Sequence, residues 1–236
     1  FLYIDQTYIQ SIRWLLLDHY LKNTIFGYLF SLVCLVVLIN GTNFMDGVNT
    51  LVIGYFLIVT LAIFYIASNF NLELNLILIK IILITLSVIF LFNFFGKLFL
   101  GDGGSYLIAF ILGYFLINFS NTNEAVSPYF AACMLWYPAY ENLFSIIRKL
   151  IRKNSPTEAD NRHLHQLLFV FMKKNFSYSN KVLNTISGLI INFFNIALFI
   201  YAAWNFDNTK NLILLIIVSI FFYNFFYYYF QKKINL

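Results

Sequence analysis

Residues 51–68 read LVIGYFLIVTLAIFYIAS, eighteen positions without a charged side chain. As an α-helix rising about 1.5 Å per residue, this run is about 27 Å long, close to the hydrocarbon thickness of a bilayer. In hydrocarbon the backbone must satisfy its own polar groups, so such a run reads as a helix and not as an open strand. Similar runs recur at roughly 24–40, 75–93, 105–119, 127–147, 181–203 and 211–230, giving about seven expected transmembrane helices. Composition agrees, with 61% hydrophobic and 11% charged residues and a mean hydropathy of +0.78. Soluble domains carry about 25% charged residues. The expected fold is therefore an all-α, polytopic membrane bundle, one domain over residues 1–236. Cys34 and Cys133 lie inside apolar runs and match neither a metal spacing nor a disulfide framework. Phe1 is an unlikely natural start, so an N-terminal portion is expected to be missing.

Three links between runs are polar: NGTNFMDGVNT (40–50), FGKLFLGDGGS (95–105) and the long segment from Arg148 to about residue 180. Seven crossings put all three on one face. Arg148, Lys149, Arg152, Lys153, Arg162, Lys173, Lys174 and Lys181 cluster in or beside the long segment, and Lys97 lies in the second link. The opposite loops hold Glu73, Glu124 and Asp207 against Lys210. The positive-inside rule then makes the three polar links cytoplasmic. The pI near 9.1 follows from this bias, so nucleic acid is not an expected partner; membrane lipid headgroups are. Residues 1–23 fall on the far side and read as a loop. The Phe- and Tyr-rich end, FFYNFFYYYFQKK, reads as a lipid-facing helix with an aromatic and lysine anchor.

Asn40, Asn43 and Asp46 are spaced by three and share a face if the helical turn persists. Alone, this stretch also suits an interhelical Asn/Asp/Gly turn. Buried amides need partners, which a nucleotide or a carboxylate could supply. In FLGDGGS, glycines flank Asp102 and Ser105 opens the next run. A glycine-rich turn entering a helix presents free N–H groups to an anion, and a carboxylate there suits Mg²⁺. The plain alternative is an N-cap turn. The third segment gathers Asp160, Arg162, His163, His165 and Gln166, which suits a phosphate or a sugar better than structural zinc. By itself it also reads as a solvated loop. Glu141 lies in an apolar run, where a charge costs about 2.5–3.5 kcal/mol; it is a functional or pairing candidate, a structural ion pair is the expected reading, and Arg148, seven residues on and on the same helical face, is one possible partner.

Together the segments resemble the polyprenyl-phosphate N-acetylhexosamine-1-phosphate transferase superfamily. Its N-x-x-N-x-x-D-G pattern is matched by Asn40, Asn43, Asp46 and Gly47, its F-x-G-D-x-G-S by Phe99, Gly101, Asp102, Gly104 and Ser105, and its D-x-x-H-x-H-[HQ] loop by Asp160, His163, His165 and Gln166. The last motif falls in an expected cytoplasmic histidine loop, 148–180. The stretch YPAYENLFSIIRK followed by HLHQLL is most similar to the branch that begins surface polysaccharides, lipopolysaccharide among them. The chain departs from many members at Asn49, where a second aspartate is usual, and at Gln166. The early aspartate pair has no counterpart, as expected of a chain lacking roughly the first four spans.

The resemblance implies transfer of a sugar 1-phosphate from a UDP-N-acetylhexosamine to a polyprenyl (undecaprenyl) phosphate, with UMP released, at the cytoplasmic face of a bacterial inner membrane. It implies Asp102 and Asp46 as ligands of Mg²⁺, with Mn²⁺ as an alternative ion. Asp46, Asp102, His163 and His165 are the implied catalytic residues. Asn40, Asn43, Phe99, Gly101, Gly104 and Arg162 are the implied substrate-binding residues, Phe99 by stacking on uracil. A homodimer is one option for assembly. Two other classes compete: an ion-coupled transporter using Asp46, Asp102 and Glu141, and a catalytically inactive truncated homologue. A transporter would place its acids near mid-membrane, whereas Asp46 and Asp102 fall at span ends.

Overall fold

The computed structural model describes residues 2, 6–153, 155 and 162–234. Every regular element among them is helical: α1 (Leu15–Leu21), α2 (Thr24–Met45), α3 (Leu51–Phe70), α4 (Leu76–Phe94), α5 (Gly101–Thr122), α6 (Pro128–Met134), α7 (Trp136–Ile151), α8 (Leu164–Asn175), α9 (Asn180–Trp204) and α10 (Thr209–Ile234). Local signals set their ends. The Asn23 and Asn75 side chains accept N–H bonds at the starts of α2 and α4, and the Ser127 and Ser179 hydroxyls do the same for α6 and α9. Residues 1–23, expected as a loop, contain the short helix α1. Its entry is held by Asp18, which accepts from Ser11 Oγ and Ile12 N.

Among the described residues, six helices are long and apolar enough to cross a membrane: α2, α3, α4, α5, α9 and α10. α3 is mostly buried, whereas α4 buries only Ile79, Leu86 and Asn93 and leaves large apolar side chains outside, among them Ile77, Ile81, Ile84 and Val88. That surface suits lipid and not water, and the chain is an all-α polytopic bundle.

The expected continuous span at 127–147 is instead broken into α6 and α7, neither long enough to cross alone. The cause is Pro138. Its ring nitrogen has no proton for the carbonyl of Met134 one turn earlier, and its ring crowds that carbonyl. The phenol of Tyr55 on α3 fills the gap, donating to the Met134 carbonyl at 2.8 Å. Together α6 and α7 still run from one end of the bundle to the other: Ser127 N bonds the Phe206 carbonyl, while Lys149 lies over the ring of Phe44. Gly41 lets α2 approach α7 closely, since a Cβ there would strike the Pro138 backbone.

The packing is α2 on α5 and α7, α3 on α4 and α9, and α8 on α9 and α10. At one end, Arg13 ties the loops together by donating to the carbonyls of Glu124, Val126 and Asp207 and to Thr209 Oγ1. The three polar links of the sequence meet at the opposite end. Gly47 lies against His165 and Gln166, and Asp46 faces Gly101 and Asp102.

Tyr55→Phe leaves the Met134 carbonyl without its donor and should lower unfolding stability by about 1–3 kcal/mol. Combining it with Pro138→Ala, which restores an N–H one turn after Met134, should recover part of the loss. Thermal unfolding in detergent reads both, and additive effects would show that the phenol does not stand in for the missing N–H.

Candidate functional site

The C-terminal turn of α2 carries the first half of the site. α2 keeps its helical path through Asn40 and Asn43 and ends at Asp46. Asn43 Nδ2 donates to Asp102 Oδ1 at 2.9 Å and reaches Ser105 Oγ at 3.4 Å. Ser105 Oγ in turn donates to the Asp102 carbonyl at 2.9 Å. Asp102 lies in the first turn of α5, where Gly101 adopts φ +66° to turn the chain into the helix. The Gly101 N–H points to Asp46. Burial, and then the neighbouring Asp102 charge, push the Asp46 carboxyl up to about 6, against the lowering effect of that N–H. Two acids, an amide and a helix N-terminus thus converge, the last attractive to anions. Asp102 is open to solvent. Asn40 is exposed one turn before Asn43, Phe99 is 77% exposed, and Gly104 packs on the Leu100 side chain.

The turn after Asp46 is held from outside. Thr50 sits at φ +68°, a left-handed conformation that costs a β-branched residue about 1–3 kcal/mol. Its N–H donates to Asn93 Oδ1 of α4, and its hydroxyl bonds the Asn49 and Thr185 carbonyls. Asn49 N donates to Asn184 Oδ1 at 2.7 Å. Asn192 Nδ2 donates to the carbonyls of Thr50 at 2.8 Å and Leu51 at 3.2 Å. Gly188 makes room for this contact, since a Cβ there would meet the Asn49 carbonyl. Asn49 is buried within this web. Nothing local marks Asn93, Asn184 and Asn192 as site residues. The available signal is an amide inside an apolar run, which must find a partner.

The histidines form the second half. The segment read as a loop contains α8, and both histidines are buried at its start. His163 Nδ1 lies 2.8 Å from Glu141 Oε1, and the same oxygen accepts from Leu164 N at 3.4 Å. The Gln166 side chain accepts from His163 N at 3.1 Å. The His163 ring stacks with Phe44, centroids 5.0 Å apart, and with His165 at 5.8 Å. His165 is fully buried against Gly47, and neither ring nitrogen has a hydrogen-bond partner among the described residues. Burial pushes its imidazole down to about 4, so it is neutral at pH 7.

The possible Glu141–Arg148 pair is not the one that forms. Glu141 meets His163, while Arg148 donates to the Arg162 carbonyl, Tyr227 Oη and Ser145 Oγ. The seven-residue spacing on one helix spans two turns, whereas the His163 ring arrives directly at the carboxylate from α8. Arg162 is half-buried and offers its carbonyl to Arg148. Asp160 lies outside the described residues. Among the described residues no three His, Cys, Asp or Glu side chains gather as a metal site. An apolar cavity of about 380 Å³ lies beside the histidine half among α7–α10, lined in part by Tyr137, Leu164 and Tyr223, and another of about 530 Å³ lies among α3, α4 and α9.

The family profile described as "Glycosyl transferase family 4" matches residues 1–120, half of the chain and the stretch that carries Asn43, Asp46 and Asp102. The chain belongs to glycosyl transferase family 4. This family member is 27% identical over 149 residues to the Bacillus subtilis (strain 168) protein named "Probable undecaprenyl-phosphate N-acetylglucosaminyl 1-phosphate transferase", covering 61% of this chain and 41% of the relative. It is 36% identical over 78 residues to "Undecaprenyl-phosphate alpha-N-acetylglucosaminyl 1-phosphate transferase" of Thermotoga maritima, covering 33% of this chain and 24% of that protein. The chain thus spans less than half the length of either relative. No solved structure matches it.

Asn93→Leu removes the acceptor for the buried Thr50 N–H. The uncovered donor costs about 1–3 kcal/mol, so hydrogen exchange across residues 46–51 should quicken about tenfold or more. Unchanged exchange there would mean that the asparagine does not hold the turn.

Proposed function

We propose that this chain is part of a polyprenyl-phosphate N-acetylhexosamine-1-phosphate transferase acting at the cytoplasmic face of a bacterial inner membrane, at the start of surface-polysaccharide synthesis. The observation that carries this reading is the Asn43–Asp102 bond beside Asp46. It unites two polar links 59 residues apart, in a chain whose relatives are named as sugar-1-phosphate transferases of undecaprenyl phosphate.

In this reading a lipid phosphate oxygen attacks the β-phosphorus of a UDP-N-acetylhexosamine. The bond from that phosphorus to the bridging oxygen breaks, and UMP leaves with the oxygen and its electron pair. The nucleophile is already ionised near neutral pH, so the protein's task is positioning and charge control. The N–H groups at the start of α5, opened by Gly101 and Gly104, suit the diphosphate. The exposed Phe99 ring is free to stack on uracil, and Asn40 and Asn43 suit the nucleotide's polar edge. His163 and Arg162 suit the sugar diphosphate. His165, neutral and buried, contributes by hydrogen bonding and not by charge.

The donor set fits Mg²⁺. Asp46 and Asp102 are hard oxygen ligands beside each other, and a cation between them would offset their like charges. These two residues would hold the ion, and Mn²⁺ accepts the same oxygens. When bound, the ion supplies charge neutralisation to the diphosphate. The location has its own logic: the lipid cannot leave the bilayer and the nucleotide cannot enter it, so their reaction belongs at the end of the bundle. That position also argues against an ion path through mid-membrane.

Asp102→Asn in the full-length protein should cut Mg²⁺-dependent UMP release at least about 100-fold, the loss expected when a metal-binding charge is removed. Wild-type rates in membranes carrying the variant would falsify the assignment. The orientation has a separate test. A Cβ at Gly103 meets nothing, so Gly103→Cys should be tolerated and should react with an impermeant thiol reagent only in inverted membrane vesicles. Labelling from outside intact cells reverses the proposed sidedness.

A further inference from the structure

Glu141 is fully buried on α7, twenty-two residues before His163, and belongs to none of the three motifs. An unpaired carboxylate there would be very costly. Its Oε1 meets two groups of the α8 N-terminus, His163 Nδ1 at 2.8 Å and Leu164 N at 3.4 Å. A backbone N–H can only donate, so Oε1 is an acceptor. The positive end of α8 favours the ionised carboxylate. An ionised carboxylate can only accept, so the proton of the shared bond sits on His163 Nδ1. The Tyr137 and Tyr223 side chains face the carboxylate from α7 and α10. The His163 ring is meanwhile held in stacking contact with Phe44, two residues before Asp46. Nδ1 is thus committed to the protein, and Nε2 is the only ring nitrogen left for a ligand.

We infer that Glu141 is a positioning residue for His163: it fixes the Nδ1-protonated imidazole against the end of α2 and so presents Nε2 to the sugar-diphosphate substrate. The first part stands on the geometry alone; the consequence for substrate rests on the transferase reading above. A merely structural clasp between α7 and α8 would use the same bond but would not need a particular tautomer.

Histidine ¹⁵N NMR in detergent tests this directly, because the chain has only three histidines, His19, His163 and His165. The His163 signal is assigned by its loss in His163→Gln. In the wild type its Nδ1 should carry a proton. In Glu141→Ala the ring should shift toward the Nε2-protonated form that free neutral imidazole prefers. Glu141→Gln keeps an oxygen acceptor and should retain the wild-type form. UMP release per folded protein should fall about 10–100-fold in Glu141→Ala, the range for removing a partner that orients a functional histidine, and should be partly rescued in Glu141→Gln. A bare Nδ1 in the wild type overturns the inference, as does an unchanged tautomer in Glu141→Ala. A shifted tautomer with undiminished UMP release overturns the positioning role. If Glu141→Ala does not fold, the wild-type and Glu141→Gln spectra decide. A wild type that releases no UMP from any UDP-sugar defeats the transferase reading, and is told apart because the spectrum needs no substrate.

Discussion

A polar turn at the end of apolar helices must have every buried backbone group satisfied from within the protein. The rest of the site depends on how residues 46–50 meet that constraint. The left-handed Thr50 is tolerable only because Asn93, Thr185 and Asn192 close around it from α4 and α9. This fixes the point where α2 stops and α3 begins, and with it the position of Asp46. Asp46 then faces the start of α5, where Asn43 already holds Asp102. The amides in the apolar helices are thus a scaffold for the acids.

The two halves of the site use burial differently. Asp102 stays open to solvent at a helix N-terminus, so its oxygens remain available to a ligand. His165 and Glu141 lie in full burial, where a charge survives only with partners. His165 meets that condition by staying neutral, and Glu141 by bonding His163 and the first N–H of α8. The turn of Asp46 and Gly47 separates the halves, with the acids on one side and His165 on the other. Phe44 adds a second link, touching both His163 and the Lys149 ammonium.

Much of this was legible in the chain. Six of the seven expected spans appear as continuous helices close to their expected bounds, because the length and apolarity of a run decide whether it can cross a bilayer. The shared location of the three polar links followed from counting crossings. Hydropathy failed at 127–147, because an average over a window does not register one missing N–H at Pro138. The short helix α1 and the amphipathic α8 were also hidden, since neither has a run of bilayer length.

The three motifs, read together as a resemblance, gave Asn43, Asp46, Asp102, His163 and His165 as expected site residues, although each motif alone also suited a plain turn or loop. They did not reveal Asn93, Asn184 and Asn192, which are lone amides in apolar runs, and Arg148, one possible partner of Glu141, is not the residue that meets it. The sequence by itself determined the helical bundle, its polar end and the chemical types gathered there, since these depend on local composition and on the thickness of a bilayer. Only the tertiary structure decided who meets whom: Asn43 with Asp102, Glu141 with His163, the asparagines with the turn. Such pairings depend on which helix faces pack together, and residues separated by 22 to 142 positions carry no local trace of that.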